Sequence, residues 1–416
     1  MVEWSISSIA TDVAPMSFAL FKDTLHGKTS MASQSPSFGR SDLFDIPADI
    51  TYLNAASLSP IPGPVRAAGE HGVARKVTPW TFSRASFYDI VEEARTEAAA
   101  LVDAQPRDIA IVGSASYGIA TSARNLTVDP GKVVLTIEEE HPSPVYVWIR
   151  LAAETGAIHE ELPRPSDHDW TAAILARLQD RSRPEVGVLS LTPLHWNDGA
   201  ALDLVAIRAA ADEVGAQLVV DGTQSIGARP FSVRTVRPDY LVFPTYKWLL
   251  GPYGLAFLYA DPDRQSGVPL EEHTFSRVGA DLITDRYERE LTFMDGARRY
   301  DMGERSNFVT LPMAIAGIRL IRAWGTERIA AYLAPLTTRI AERAAELGFS
   351  SPPAARRAGH IIGLRKPGFD AGAAAAKLAE RKIYVSSRNG AIRVAPHIYN
   401  DAADIERFLE GLSAVV

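Results

Sequence analysis

The sequence predicts an α/β fold with a mostly parallel, mixed sheet, followed by a smaller α+β domain. Between about Asp108 and Ala260, short β-rich runs alternate with helix-like stretches, the pattern of strands joined by crossover helices. After about Asp301 the alternation stops, and a long helical stretch precedes a few short strands. A chain of 416 residues exceeds what one core usually accommodates, and 46% apolar residues can fill two. A large domain is therefore expected at 46–300 and a small one at 301–416, with 46–62 a candidate to pack with the small domain. Residues 1–45 read as a flexible extension: Ala32 to Gly39 is rich in Ser, Pro and Gln, and Met16 and Met31 are further candidate starts.

The β-rich runs of the large domain are Asp108 to Val112, Lys132 to Ile137, Val186 to Leu191, Gln217 to Asp221, Tyr240 to Phe243 and Leu255 to Tyr259. One linking helix is well punctuated. Asp203 can cap it, Leu204, Ile207, Ala211 and Val214 share a face, and Gly215 stops it before the next strand. In the small domain, helical stretches at Leu311 to Trp324 and Glu327 to Leu347 precede runs at Ile361 to Leu364, Ile383 to Ser386 and Ile392 to Val394. Asn389-Gly390 signals a hairpin between the last two.

The net charge of -7 offers no basic field for nucleic acid, and no stretch approaches the ~20 apolar residues that span a bilayer. The first 30 residues lack the basic start and apolar run of a secretory signal, so a cytoplasmic location is expected. Cysteine is absent. That removes disulfides, thiolate metal sites and thiol nucleophiles from consideration, and no metal site is expected. No Gly-x-Gly-x-x-Gly follows a β-rich run, which weakens a dinucleotide-binding reading.

Chemistry concentrates in two segments. Lys247 lies in Phe-Pro-Thr-Tyr-Lys-Trp-Leu-Leu-Gly-Pro-Tyr-Gly, beginning at Phe243, and Asp221 ends the strand-like Val-Val-Asp before Gly-Thr-Gln. A cofactor held as a lysine Schiff base needs a carboxylate on its pyridinium nitrogen, since the protonated ring withdraws electrons from the substrate carbanion. Lys247 and Asp221 fit those roles, and the cofactor they imply is pyridoxal 5'-phosphate. A lysine desolvated among apolar neighbours has a lowered pKa, and once released by substrate it can also move the α-proton. Ligands of open α/β sheets sit beyond the carboxyl ends of strands, so Asp221, Ser116 and His195 are expected around one crevice.

These motifs and their order resemble the class V aminotransferase family, which includes cysteine desulfurases, selenocysteine lyases, kynureninases and isopenicillin epimerase-like enzymes. The resemblance runs from about Tyr52 to the C-terminus. It rests on Tyr-Leu-Asn-Ala-Ala-Ser at Tyr52, Ser-Ala-Ser-Tyr-Gly at Ser114, Glu-His at Glu140, Asp-Gly-Thr-Gln at Asp221, Tyr-Lys at Tyr246, Gly-Glu-Arg-Ser-Asn at Gly303, and Arg393 followed by Tyr399-Asn400. It implies a pyridoxal phosphate-dependent transferase fold in a homodimer. Catalytic roles then fall on Lys247, Asp221 and His141, the last stacking on the cofactor ring. The phosphate would meet Ala115, Ser116 and Tyr246, and the phenolic oxygen Gln224, with Trp196 shaping the pocket or Asn197 reaching in instead. Ser306 and Asn307 would contact the neighbour's phosphate across the dimer. Arg393 would hold the substrate α-carboxylate, and the backbone of Ala55 and Ala56 would line the pocket. Two departures stand out: Pro244 occupies the place of the desulfurase serine, leaving Thr245 as the substitute donor, and Trp196 replaces an asparagine.

A chain without cysteine cannot transfer a persulfide through its own thiol. An amino-acid-transforming enzyme of the aminotransferase type is the leading reading. β-Elimination from cysteine conjugates is second, and epimerisation or kynureninase-like hydrolysis remain open. The alternative from another class is a protein that binds the cofactor without turnover, although Lys247, Asp221 and Arg393 are all present.

Overall fold

Residues 38–39, 42–282 and 292–416 are described by the computed structural model. In chain order the strands are β1 (Thr51–Tyr52), β2 (Ile109–Val112), β3 (Val133–Ile137), β4 (Ile158–Leu162), β5 (Val186–Leu191), β6 (Gln217–Asp221), β7 (Tyr240–Pro244), β8 (Ala256–Ala260), β9 (Ile362–Leu364), β10 (Ile383–Tyr384), β11 (Ser386–Arg388) and β12 (Ala391–Val394). The central sheet runs β2-β8-β7-β6-β5-β3-β4. Only β8 is reversed against its neighbours; the remaining pairs are parallel. This is the mostly parallel mixed sheet that the alternating runs predict.

Alternate residues of each strand feed two cores. Ile109, Ile111, Leu189, Leu218, Val220, Leu241 and Phe243 point to one, with Val91 and Ala94 of helix Ser86–Leu101 and Ile207 of helix Leu204–Val214. Ala110, Val112, Val188, Val219 and Val242 point to the other, with Ile119 of helix Ala115–Asn125 and Trp148 of helix Pro142–Thr155. A sheet covered on both faces explains why its strands read as continuous apolar runs rather than alternating ones. Helix Leu204–Val214 starts and stops as the sequence indicates. Asp203 accepts from the amides of Val205 and Ala206, and Gly215 takes a left-handed φ of 68°.

A third core joins Ile362, Leu364, Ile383, Ile392 and Val394 to helices Thr326–Glu346, Ala371–Glu380 and Ala402–Ser413. Leu53 enters it from the beginning of the described chain, and β1 pairs in parallel with β10. Asn389 and Gly390, with φ of 45° and 75°, make the two-residue turn between antiparallel β11 and β12. Most of the expected N-terminal extension, residues 1–37 and 40–41, lies outside the described residues; Phe38 and Phe44 pack on Tyr332 and Tyr399 at 5.1 Å. Among the described residues, no helix is long and apolar enough to cross a membrane.

Candidate active site

The parallel strands β2, β3, β5, β6 and β7 deliver their carboxyl ends to one rim, and the polar residues of the sequence motifs gather there. Lys247 lies in the loop joining β7 to β8 and is only 8% exposed. The loop is pinned from both sides. The hydroxyl of Thr245 donates to the carbonyls of Pro252 (2.6 Å) and Leu255 (3.2 Å). Gly251 packs so tightly against Thr245 that an added Cβ would lie 2.8 Å from its side chain. The next residue, Trp248, stacks on His397, meets His360 edge-on, and donates its indole N–H to Gln224 Oε1 at 2.9 Å. Thr245 is thus committed inside the loop, and does not stand in for the serine displaced by Pro244.

Among the described residues, the Lys247 amine has no hydrogen-bond partner and no carboxylate within ion-pair distance. Burial brings its pKa down to about 8, against the opposing pull of Asp221 and with help from Arg393 and Arg388. Asp221 ends β6, and its Oδ1 accepts the amide N–H of Thr223 at 2.9 Å. His141 caps helix Pro142–Thr155 by accepting the Ser143 N–H on Nδ1 (3.3 Å), so its neutral ring carries the proton on Nε2. Loss of solvent and the nearby Lys247 lower its pKa. Its ring meets Trp196 edge-on at 5.4 Å, and Trp196 is fixed by donating to the Glu139 carbonyl at 2.7 Å.

Beyond β2, Ser114 caps helix Ala115–Asn125, accepting from the Tyr117 amide, and its hydroxyl lies 3.0 Å from that of Ser116. The first-turn amides of this 11-residue helix face the rim. Gly118 lets the helix lie directly on β7, because a Cβ there would come within 2.7 Å of Val242. Tyr246 is partly buried with its ring 5.3 Å from the Lys247 amine, and burial raises its pKa to about 12. Arg393, on β12, is 2% exposed and ion-pairs with no described carboxylate. It donates to Ser386 Oγ (3.1 Å), the Trp196 carbonyl (3.3 Å) and Ser57 Oγ (2.7 Å).

The sequence matches the family described as Aminotransferase class-V over residues 52–408. The chain belongs to the class V aminotransferase family. It is 26% identical to an uncharacterized aminotransferase, YcbU, of Bacillus subtilis, over 78% of this chain and 83% of that one. Among solved structures it resembles an apo cysteine desulfurase from Thermococcus onnurineus, with 22% identity, a TM-score of 0.75, and 88% and 95% of the two chains covered. It also resembles the cystine C-S lyase C-DES in complex with cysteine persulfide, with 21% identity, a TM-score of 0.77, and 88% and 98% covered. Membership of the class V aminotransferase family makes this a pyridoxal phosphate-dependent enzyme. The residues present fit that cofactor: a buried amine without a partner, a carboxylate at a strand end, an open helix N-terminus and a buried guanidinium without an acid all surround one rim.

Other class V site residues have commitments within the chain. The side chain of Gln224 donates to the Ala56 carbonyl (3.0 Å) and accepts from Trp248, which leaves one amide N–H for a ligand. The Ala55 N–H is bonded to the Ala395 carbonyl at 3.0 Å, so the Ala55–Ala56 backbone presents mainly the Ala56 N–H. Asn197 is fully buried; with its amide turned so that the nitrogen meets the Arg388 carbonyl (3.1 Å) and the oxygen meets Arg365 (2.9 Å), both its neighbours are satisfied within the chain, and it does not swing toward the cofactor side. Ser306 donates to the Phe87 carbonyl at 2.6 Å, and Asn307 caps helix Thr310–Trp324 by accepting from Val309 and Thr310. Neither bonds to the Lys247 cluster. His195 is fully buried, stacked on Trp170 and held by Arg164, Asp198 and the Glu138 carbonyl, so it frames the rim rather than facing it.

Three residues at the rim receive no role from the sequence, although Ser57 and Glu140 fall within its motifs. Ser57 is the oxygen on which Arg393 closes, and Arg388 reaches the same oxygen at 3.5 Å. Glu140, whose Oε1 accepts the His141 N–H at 2.7 Å, has its pKa raised to about 7 by burial and, more weakly, by Asp221.

Proposed function

We propose that this enzyme transforms an α-amino acid by amino-group transfer, with Lys247 as the covalent anchor of the cofactor and the base that moves the α-proton. The observation that carries this reading is the Lys247 amine itself, buried, unpaired, and with its pKa at about 8. At pH 7 such an amine is still mostly protonated, but its uncharged fraction, about a tenth, is some hundreds of times that of an ordinary lysine, and the uncharged form is the one that nucleophilic attack and proton abstraction require. When bound, pyridoxal phosphate supplies the electron sink for the substrate carbanion.

The other residues bind and orient. Asp221, at the end of β6, would hold the ring nitrogen of the bound cofactor in its protonated form, and the imidazole of His141 would support the ring. The free amides of Ala115 and Ser116, at a helix N-terminus, receive the phosphate with Tyr246 beside them. Gln224 offers its remaining N–H, and Trp196 closes the pocket wall. Arg393, held in line by Ser386 and Ser57, takes the α-carboxylate as a two-pronged ion pair. The Gly303 to Asn307 motif, exposed at Asn307, supports a homodimer in which that side chain meets the neighbour's phosphate end; sedimentation of an active monomer would refute it.

The test is a panel of L-amino acids and S-substituted cysteines given to the purified yellow protein. Stoichiometric 2-oxo acid with conversion of the cofactor to its amine form supports transfer. Repeated release of pyruvate and ammonia with the original spectrum restored would make the enzyme a β-lyase instead.

A further inference from the structure

Arg393 accounts for one anionic group of a substrate, but it is not alone. The register of the β11–β12 hairpin sets Ser386 opposite Arg393, and Arg388 two residues along β11 from Ser386, so all three side chains share one face. The Nη2 atoms of both arginines converge on Ser57 Oγ, at 2.7 Å from Arg393 and 3.5 Å from Arg388. The two therefore lie within about 6 Å of each other, the distance of like charges that repel.

Neither has an acid among the described residues. Arg388 donates only to the Ser387 carbonyl (2.8 Å) and Ser57, and the charged neighbour felt by Arg393 is Arg388. Arg365, directly after β9, is different: it is neutralised by Glu139 at 2.9 Å. The backbone beneath Arg388 is held, since its carbonyl accepts from Asn197 at 3.1 Å. Through the shared contact with Ser57 Oγ, Arg388 lies beside Arg393 at the rim, and its charge also helps to lower the pKa values of Lys247 and His141.

One α-carboxylate satisfies one guanidinium and leaves the second unpaired in a partly buried site, which is costly. We infer that the substrate carries a second anionic group on its side chain, and that Arg388 receives it while Arg393 takes the α-carboxylate. The substrate class is an acidic α-amino acid, with Ser57 between the two anions as a shared hydroxyl. This inference rests on the pyridoxal phosphate reading for the α-carboxylate, and adds the specificity-determining residue.

The test compares each acid with its neutral isostere. The holoenzyme is titrated with L-aspartate and L-asparagine, then with L-glutamate and L-glutamine, following the cofactor spectrum. Calorimetry with succinate and succinamate reads the same site without turnover. The acid of at least one pair is expected to bind ten- to a hundredfold more tightly than its amide, the range of one charge-assisted hydrogen-bonded pair. Arg388→Gln is expected to bring that ratio to about one, and Arg388→Lys to restore part of it. Equal affinity for acid and amide in every pair, or an unchanged ratio in Arg388→Gln, overturns the inference. A protein that takes up no cofactor refutes the wider reading instead, while the succinate comparison still decides whether two arginines bind two anions.

Discussion

Replacing Lys247 by methionine is expected to stabilise the cofactor-free protein. Methionine keeps the apolar stem and removes the charge. The folded-state pKa of about 8 lies below the ordinary 10.5, so the folded chain holds this proton less tightly than the unfolded chain does. Below pH 8 both states are protonated, and the folded state carries the whole cost of a buried, unpaired ammonium. As pH rises from 8 to 10.5 the folded state releases its proton first, and the cost fades. At ~1.4 kcal/mol for each tenfold change in proton affinity, the difference amounts to about 3 kcal/mol at pH 7. With an unfolding entropy of ~2 cal/mol/K per residue, that corresponds to a rise of about 4 °C in melting temperature for a chain of this size. Urea unfolding of the apo forms at pH 7 and pH 10.5 measures it. Lys247→Met should be the more stable at pH 7, with the gap nearly closed at pH 10.5. A variant that is less stable at both values would refute the desolvated amine.

The pKa of Glu140 is shifted the other way in charge. Its folded-state value of about 7 exceeds the ordinary 4.5, so stability falls as pH rises between those values and the full cost stands above pH 7. Glu140→Gln is expected to gain about 1–3 kcal/mol over the parent at pH 8 and nothing at pH 4.5, by denaturant midpoints of the cofactor-free protein. Arg393→Lys should raise the Michaelis constant for amino acids ten- to a hundredfold, since a point charge cannot reproduce the fork; steady-state kinetics with an unaltered constant would move the carboxylate site elsewhere. Asp198, 1% exposed, accepts from Arg164 (2.5 Å) and the Ala200 amide (3.0 Å), and its pKa is held well below 3.8 against the cost of burial by His195 and Arg164. Asp198→Asn should cost about 3 kcal/mol by urea unfolding, fully present above pH 3.8 and lost as pH falls below it.

What could be read from the sequence divides along physical lines. Strands buried on both faces announce themselves as β-rich apolar runs, and local devices such as Asp203, Gly215 and Asn389-Gly390 act through neighbours in the chain, so they were legible. β4 was not, because its residues Ile158–Leu162 form a sheet edge and are largely polar: Glu160 pairs with Arg177 and Arg183, and His159 meets Thr136. The reversal of β8 is a matter of tertiary pairing that no local pattern reports. At the site, Asp221 stood out because it closes a β-rich run, and Lys247 because it follows one in an apolar, Gly-Pro-punctuated segment. Ser57 and Arg388 did not, since they meet across 331 positions of sequence and neither is unusual alone. The same holds in reverse for Ala55 and Gln224, whose groups are partly consumed by Ala395 and Trp248.

Reduction of the yellow holoprotein with borohydride, followed by peptide mapping, tests the central claim most directly. The account predicts that the reduced cofactor is found covalently on Lys247, and that Lys247→Met binds none covalently. Label on another lysine, or a variant that remains yellow and reducible, would contradict it.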